Sequence, residues 1–484
     1  MNQKVGNVIE DITTYPDTFF NTIFSDPPYQ LGTKYYIGEN GQYAIKGASN
    51  DFMSKWSGVT PEQWNIFFRE AMRTLKHGGY CCMFGMEESS AILQYYAIKY
   101  GFEICQSLAW YNIQGFPKSL NVSKMIDKTL GLEREQIINP LASKQTSQVA
   151  GKGLSGSKSA VEYITPNSVC ELSSQYDGYH AGIKPLKPCL ETIYVFRKPI
   201  KGKSIVDDIM SNDETISPAC VNIDGCRVNY TSDYDKKYQE DIAEGQENAT
   251  NGKFFGGSGK SLSSGISNGR YPSQLFVDSE CAELLDKQSG KVTGGSISAE
   301  ATQGFGGSDL VFGEGGSKIL HHCDYENEDK ELVYFNSKVA NTERNIGLDT
   351  FEDKFSARLP MRSEGGDREG IAIDGTKMDR TSVSKNSHPT LKPISLIHNI
   401  FKLFKLPIED QKVYVPFSGA GSEIIGILST GIKEENLYAC ELSQEYVDIS
   451  EARQVWYKSA NYSLKQKIKK TETTKEEFDI FGAI

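Results

Sequence analysis

Val413-Tyr414-Val415, running into Pro416-Phe417-Ser418-Gly419-Ala420-Gly421-Ser422, reads as a strand that enters a glycine-rich turn, with a helix expected over 422–430. Glycines at the mouth of a strand let the backbone approach a ligand, and the N-terminus of the following helix is electropositive. A lone G-x-G turn is a weak signal. It gains weight from Leu437-Tyr438-Ala439-Cys440, a strand ending at Glu441 about twenty residues beyond the turn. A carboxylate there can accept hydrogen bonds from both hydroxyls of a ribose. Helical spacing of Ile394, Ile397, Phe401 and Phe404 predicts a helix before the turn, and another is expected over 444–456.

The N-terminal part of the chain repeats this alternation. Thr22 to Ser25 and Tyr80 to Phe84 read as strands, as do Glu103 to Trp110 and Glu191 to Phe196. Pro61 to Leu75 reads as a helix with Thr60 as its cap and Pro61 in the first position, ended by His77-Gly78-Gly79. Glu87 to Tyr100 reads as the next helix. Strands alternating with helices predict an α/β fold, a parallel sheet covered on both faces. Ligands of such sheets lie beyond the carboxyl ends of the strands.

Asp26-Pro27-Pro28-Tyr29 follows the strand Thr22 to Ser25, also at a carboxyl end. The exocyclic amine of a nucleobase is a poor nucleophile, because its lone pair is delocalised into the ring. The Asp26 carboxylate can accept one of its N–H groups and the Pro27 carbonyl the other. Pro27 and Pro28 stiffen the backbone so that this carbonyl is pre-aimed. Tyr29 can stack on the base. If both strands belong to one sheet, this tetrad and the glycine-rich turn face a single crevice.

The 484 residues carry a net charge of −11, with 38% hydrophobic residues, 45 Gly and 10 Cys. Two or three folding units and long polar loops are expected. An acidic chain can still bind nucleic acid if the contacting face is basic. No apolar run is long enough for a membrane span, no signal-peptide pattern opens the chain, and no paired C-x-x-C spacing supports a metal. His321-His322-Cys323 reads as a polar loop. A cytoplasmic location without membrane or metal is expected. Gly245 to Gly269 and Ser289 to Ser317 read as loops, whereas Leu332 to Phe335 reads as ordered.

The two motifs together resemble the amino-directed DNA methyltransferases that use S-adenosylmethionine, and more narrowly the permuted class in which the catalytic motif precedes the cofactor motif. The resemblance covers roughly 4 to 200 and 386 to 458. Ser387-His388-Pro389-Thr390-Leu391-Lys392-Pro393 is similar to the segment that precedes the cofactor strand in that class, and Glu441 to Tyr446 to its ribose-binding segment. Gly115 to Asn121, Leu186-Lys187-Pro188, Arg197-Lys198-Pro199, Asn222 to Arg227 and Gly269 to Pro272 are similar to stretches of phage and prophage methylases. The resemblance implies a Rossmann-like, seven-stranded methyltransferase sheet with an inserted, irregular target-recognition domain. The expected division is a catalytic half over 1–200, a recognition insert over 201–350, a linker over 351–385, a cofactor-binding half over 386–460 and a charged tail over 461–484.

By the same resemblance, Asp26, Pro27, Pro28 and Tyr29 are the catalytic residues. Asn7, Pro389, Thr390, Lys392, Phe417, Ser418, Gly419, Gly421, Ser422 and Glu441 hold the cofactor, S-adenosylmethionine. Lys118, Arg197, Lys198, Arg270 and Arg344 contact double-stranded DNA. Two positions depart from the family, with Val415 and Asn7 standing where it usually carries Asp. The implied activity is site-specific methyl transfer to adenine N6 of a flipped base. Asp at the head of the tetrad favours adenine, since cytosine-N4 members usually carry Ser. Cytosine N4 remains an alternative, as does a DNA-binding protein on a decayed scaffold. Oligomeric state and a partner restriction endonuclease stay open.

Overall fold

The structure is a computed structural model and describes residues 2–29, 34–38, 43–46, 59–111, 118–134, 137–138, 163–164, 168–186, 188–228, 269, 271–277, 321–322, 341–352, 354–355, 369–371, 377–379, 383–388 and 390–459. Two compact units emerge: Met1–Tyr111 with Glu191–Phe351 and Thr390–Ile484, and Asn112–Leu190 with Glu352–Pro389.

The first unit is built on a 10-stranded sheet. Its strands are β1 (Asn2–Val5), β2 (Phe20–Ser25), β3 (Leu75–Gly85), β4 (Glu103–Ile104), β5 (Leu108–Tyr111), β6 (Leu190–Arg197), β7 (Leu275–Val277), β8 (His321–His322), β9 (Val413–Pro416) and β10 (Leu437–Glu441). The order is β1-β10-β9-β2-β3-β6-β5-β7-β8, with β4 paired to β6. The run from β1 through β3 is parallel, and β6 lies antiparallel to β3. The sheet is α/β as expected, but wider than seven strands, because the short strands β7 and β8 extend it past β5.

Alternation along the strands sends side chains to two apolar layers. Phe24, Cys82, Phe84, Val195, Val413 and Val415 join one layer with Ile397, Ile400, Phe401, Ile424 and Ile427. Those last five come from helices α3 (Ile394–Leu403) and α4 (Ser422–Leu428). Ile23, Cys81, Met83, Phe196 and Tyr414 join the other layer with Trp64, Phe67, Phe68 and Ala71. That layer is closed by α1 (Pro61–Thr74) and α2 (Glu87–Lys99). Trp64, Phe67, Phe68 and Ala71 recur at helical spacing, so α1 buries one stripe. Thr60 caps it, accepting from Gln63 N while the Gln63 side chain bonds Thr60 N. Helix α5 (Gln444–Ser459) follows β10. No helix of the described residues is long and apolar enough to cross a membrane.

Several elements differ from expectation. The stretch Glu103 to Trp110 is two strands, because β4 pairs the far end of β6 and the chain is then interrupted before β5. His77-Gly78-Gly79 does not precede β3 but lies inside it. Gly78 has φ 78°, and a Cβ there would meet the Ser217 carbonyl oxygen at 2.5 Å, so the strand carries a close backbone approach at this point. His321-His322 is a strand rather than a loop, parallel to β7. The ordered stretch expected at Leu332 to Phe335, both Gly/Ser-rich loops over most of their length, and the tail 461–484 lie outside the described residues.

In the second unit, Lys118–Asn121 pairs antiparallel with His180–Lys184. Asn121 caps the helix Val122–Thr129 by accepting from Lys124 N. Asp127 is buried there and bonds Arg134 Nε at 2.6 Å. Within the expected linker, Lys354–Phe355 pairs with Val383–Ser384 and Glu369–Ile371 with Lys377–Asp379.

Candidate functional site

Parallel pairing sets the site. Thr22 lies opposite Val413 and Ile23 opposite Tyr414, so β2 and β9 end at the same edge of the sheet. Pro416 lies opposite Cys440 and Val5 opposite Glu441, which brings the ends of β10 and β1 to that edge too. The two motif loops are joined directly, since Ser25 Oγ donates to the Pro416 carbonyl at 3.2 Å. Asp26, the Phe417–Gly421 turn, Glu441 and Asn7 therefore share one edge.

The turn depends on left-handed backbone. Phe417 has φ 56°, Gly419 47° and Gly421 80°. A Cβ on Gly421 would lie 2.3 Å from Ser450 Oγ, so only glycine fits where the turn hands over to α4. The unusual φ of Phe417 is offset by packing near Trp64 and Phe67, with ring centroids 6.1 and 6.3 Å away. Ser418 is buried and donates its N–H to the Cys440 carbonyl. Ser422 is buried beneath Arg453, whose guanidinium also reaches the Ala420 carbonyl. Glu441 accepts from Gly419 N at 2.9 Å through Oε2 and from Ser443 N at 3.0 Å through Oε1. Burial raises its carboxyl above the ordinary value, and those N–H bonds pull it back.

Asp26 is the centre of a second group. Its Oδ2 accepts from Lys392 Nζ at 2.7 Å, while Oδ1 is buried with no hydrogen-bond partner. Burial pushes the Asp26 carboxyl up, opposed by the Lys392 ammonium. Lys392 Nζ also lies 3.4 Å from Glu191 Oε2. Burial works against the charge on Lys392, but Asp26 and Glu191 outweigh it and hold the ammonium above its ordinary value. With two carboxylates at these distances, the ionised pair is the state the geometry supports. The Tyr29 hydroxyl donates to Glu191 Oε2 at 2.9 Å. Pro27 is buried and Pro28 half-buried. Glu423, in the first turn of α4, is buried and pushed up to about 8 by burial, with the Asp26 charge adding to the effect.

Asn7, at that edge, and the other expected residues are engaged as follows. Asn7 caps the short helix Val8–Asp11, its Oδ1 accepting from Ile9 N. Thr390 is exposed, and Pro389 lies outside the described residues. Arg197 is held by Glu103, with Nη2 2.7 Å from Oε2. Lys198 is buried and donates to the Leu75 carbonyl at 2.7 Å, so it is not displayed to a phosphate. Arg344 is buried as well. Lys118 lies on a strand of the second unit, and Arg270 is outside the described residues. Val415, in β9, is fully buried in an apolar layer.

Glu191 and Glu423 were not legible as site residues. Glu191 is the second residue of β6, and only the antiparallel direction of that strand delivers its first residues to the edge where the parallel strands end. Glu423 follows the glycine-rich turn directly, which was a signal of position but not of proximity to Asp26.

A family model described as DNA methylase matches residues 20–452. Among solved structures, the chain is similar to the PvuII DNA methyltransferase (cytosine-N4-specific), at 10% identity, covering 93% of this chain and 85% of that one with a TM-score of 0.36. It is similar to TTHA0409, a putative DNA modification methylase from Thermus thermophilus complexed with S-adenosyl-L-methionine, at 9% identity, 94% and 93% coverage and a TM-score of 0.34. It is also similar to M1.HpyAVI in complex with SAM, at 8% identity, 93% and 98% coverage and a TM-score of 0.31. No curated protein matches the chain.

Proposed function

Because the chain belongs to the DNA methylase family, we propose that it is a site-specific DNA methyltransferase that transfers a methyl group from S-adenosylmethionine to adenine N6 of a flipped base. The observation that carries this reading is the buried, unpartnered Asp26 Oδ1, at the sheet edge where Ser25 bonds to the glycine-rich turn. A buried acceptor without a donor costs free energy of the order of 1–3 kcal/mol, and an amine N–H would satisfy it.

The residues present fit the cofactor. Glu441 is held in place by two backbone N–H groups, and each of its oxygens keeps acceptor capacity for a ribose hydroxyl. The left-handed turn at Phe417, Gly419 and Gly421 opens the backbone beside it. Asn7, Thr390, Ser418 and Ser422 belong to the same proposed site. Bound there, the cofactor would supply an electrophilic methyl on a sulfonium.

The protein's own part is to hold the base. Asp26 Oδ1 and the Pro27 carbonyl accept the two amine N–H groups, drawing the nitrogen toward a geometry that returns its lone pair. Tyr29 stacks on the ring. Holding the amine in line is worth more here than acid catalysis. Extruding the base from its duplex stack is the cost of reaching this pocket. Residues 201–350, with Arg270, are proposed to read the duplex.

Nucleosides from DNA treated with the purified protein and S-adenosylmethionine, resolved by mass spectrometry, test the reading. N6-methyladenine is expected, and lost in Asp26→Ala. N4-methylcytosine instead would move the target to cytosine. No methylation, together with no cofactor uptake in a calorimetric titration, would leave a DNA-binding protein on a methylase scaffold.

A further inference from the structure

The Lys392 side chain is only 5% exposed. A buried ammonium is tolerated when it is paired and hydrogen-bonded. Its surroundings come from three separate parts of the first unit. Asp26 from the end of β2 lies at 2.7 Å and Glu191 from the start of β6 at 3.4 Å. The Tyr29 and Phe84 rings cover the ammonium, with centroids 4.8 and 4.9 Å away. Glu423 of α4 adds a third carboxylate at longer range, itself influenced by Arg453.

This arrangement divides the work of the Asp26 oxygens. Oδ2 is taken by Lys392 and Oδ1 is buried without a hydrogen-bond donor, while the Tyr29 hydroxyl lies close enough to act on the Asp26 carboxyl. Lys392 also reaches Glu191 Oε2, the same atom that receives the Tyr29 hydroxyl. One ammonium thus ties the acid to the group that orients the aromatic ring. With the Asp26 and Glu191 carboxylates beside it, its charge is already spoken for.

We propose that Lys392 is a positioning residue of the methyl-accepting site, holding Asp26 so that Oδ1 meets the amine and, through Glu191, fixing the plane of Tyr29, rather than a ligand of the cofactor. The proposal rests on the methyl-transfer reading above and deepens it.

The test compares Lys392→Met and Lys392→Arg with the wild type. Calorimetry measures S-adenosylmethionine affinity, and single-turnover rates at saturating cofactor are measured across pH on duplex DNA. In Lys392→Met, affinity should stay within about threefold while the rate falls by about 100-fold. Asp26 must be ionised to accept the amine, and without the ammonium it keeps its proton to higher pH. The acid limb of the rate profile should therefore move upward in pH, and Lys392→Arg should restore part of both. A melting cycle reads the pairing without activity: Asp26→Asn should recover stability lost in Lys392→Met, because it removes the uncompensated charge.

Cofactor affinity that collapses in Lys392→Met, with a normal rate once cofactor saturates, overturns the proposal. So do melting effects that simply add. A wild-type protein that transfers no methyl group would defeat the functional reading instead, and the melting cycle would still report whether Lys392 holds Asp26.

Discussion

Ser25 and Pro416 are 391 residues apart in sequence and joined by a 3.2 Å hydrogen bond from Ser25 Oγ to the Pro416 carbonyl. Each is the last residue of its strand, and the two strands are parallel neighbours. The next residue on one side is Asp26, and on the other Phe417, where the left-handed turn begins. Everything chemical about the site follows from this junction, because it sets a candidate base pocket beside a candidate cofactor turn.

Gly421→Ala should damage the turn from two directions. Its φ of 80° disfavours any side chain, and a Cβ would sit 2.3 Å from Ser450 Oγ and 3.0 Å from Ser450 Cβ. Strain and overpacking of this kind cost roughly 1–3 kcal/mol each. Urea unfolding should show a combined loss of roughly 2–6 kcal/mol, with cofactor affinity falling as well. Unchanged stability would mean that the turn relaxes freely.

Glu441→Gln keeps the shape of the side chain but leaves a single acceptor oxygen for the N–H groups of Gly419 and Ser443. Hydrogen bonds to a charged group contribute about 1.5–3 kcal/mol. Titration calorimetry should find S-adenosylmethionine affinity weaker by roughly 10- to 100-fold, converted at 1.4 kcal/mol per decade. The rate at saturating cofactor should change much less.

Tyr29→Phe and Tyr29→Ala separate two roles. The first removes only the hydroxyl that donates to Glu191 at 2.9 Å, and the second removes the ring. Stacking of a base on an aromatic ring is worth about 1–3 kcal/mol. Tyr29→Ala should therefore cost roughly 5- to 150-fold more in kcat/KM than Tyr29→Phe, at 1.4 kcal/mol per decade. Equal losses would place the value of Tyr29 in its hydroxyl.

The pH dependence of stability should carry a signature of Glu423. Burial raises its carboxyl to about 8, above its value in an unfolded chain. Between those two values the folded state binds a proton that the unfolded state has released, so stability falls as pH rises. The contribution is complete below the unfolded value and gone once pH passes about 8. Melting temperatures from pH 5 to 9 should show the wild type losing ground to Glu423→Gln over this window. Parallel curves would show that Glu423 titrates normally.

Much of the fold was legible from local pattern. Thr60 with Pro61 and Gln63 announces the start of α1, and its buried stripe of Trp64, Phe67, Phe68 and Ala71 follows helical spacing. The strands at Val413 and Leu437 and the glycine-rich turn after the first of them were equally plain. The division of Glu103 to Trp110 was not, because β4 and β5 are separated by how each meets its neighbours and not by a breaker in the sequence. The exposure of cations was also hidden. Lys198 and Arg197 are adjacent, yet one is buried on a backbone carbonyl and the other pairs with Glu103.

Sequence alone determined that two motif loops stand at strand ends and that one carries an acid, two prolines and an aromatic ring. These are properties of short segments, set by φ, by capping and by alternation. Only the tertiary structure decided which groups surround Asp26. Lys392 is 366 residues away from it, and Glu191 arrives on an antiparallel strand. Strand order and direction are fixed by which apolar faces bury together over the whole sheet, and no short window of sequence contains that choice.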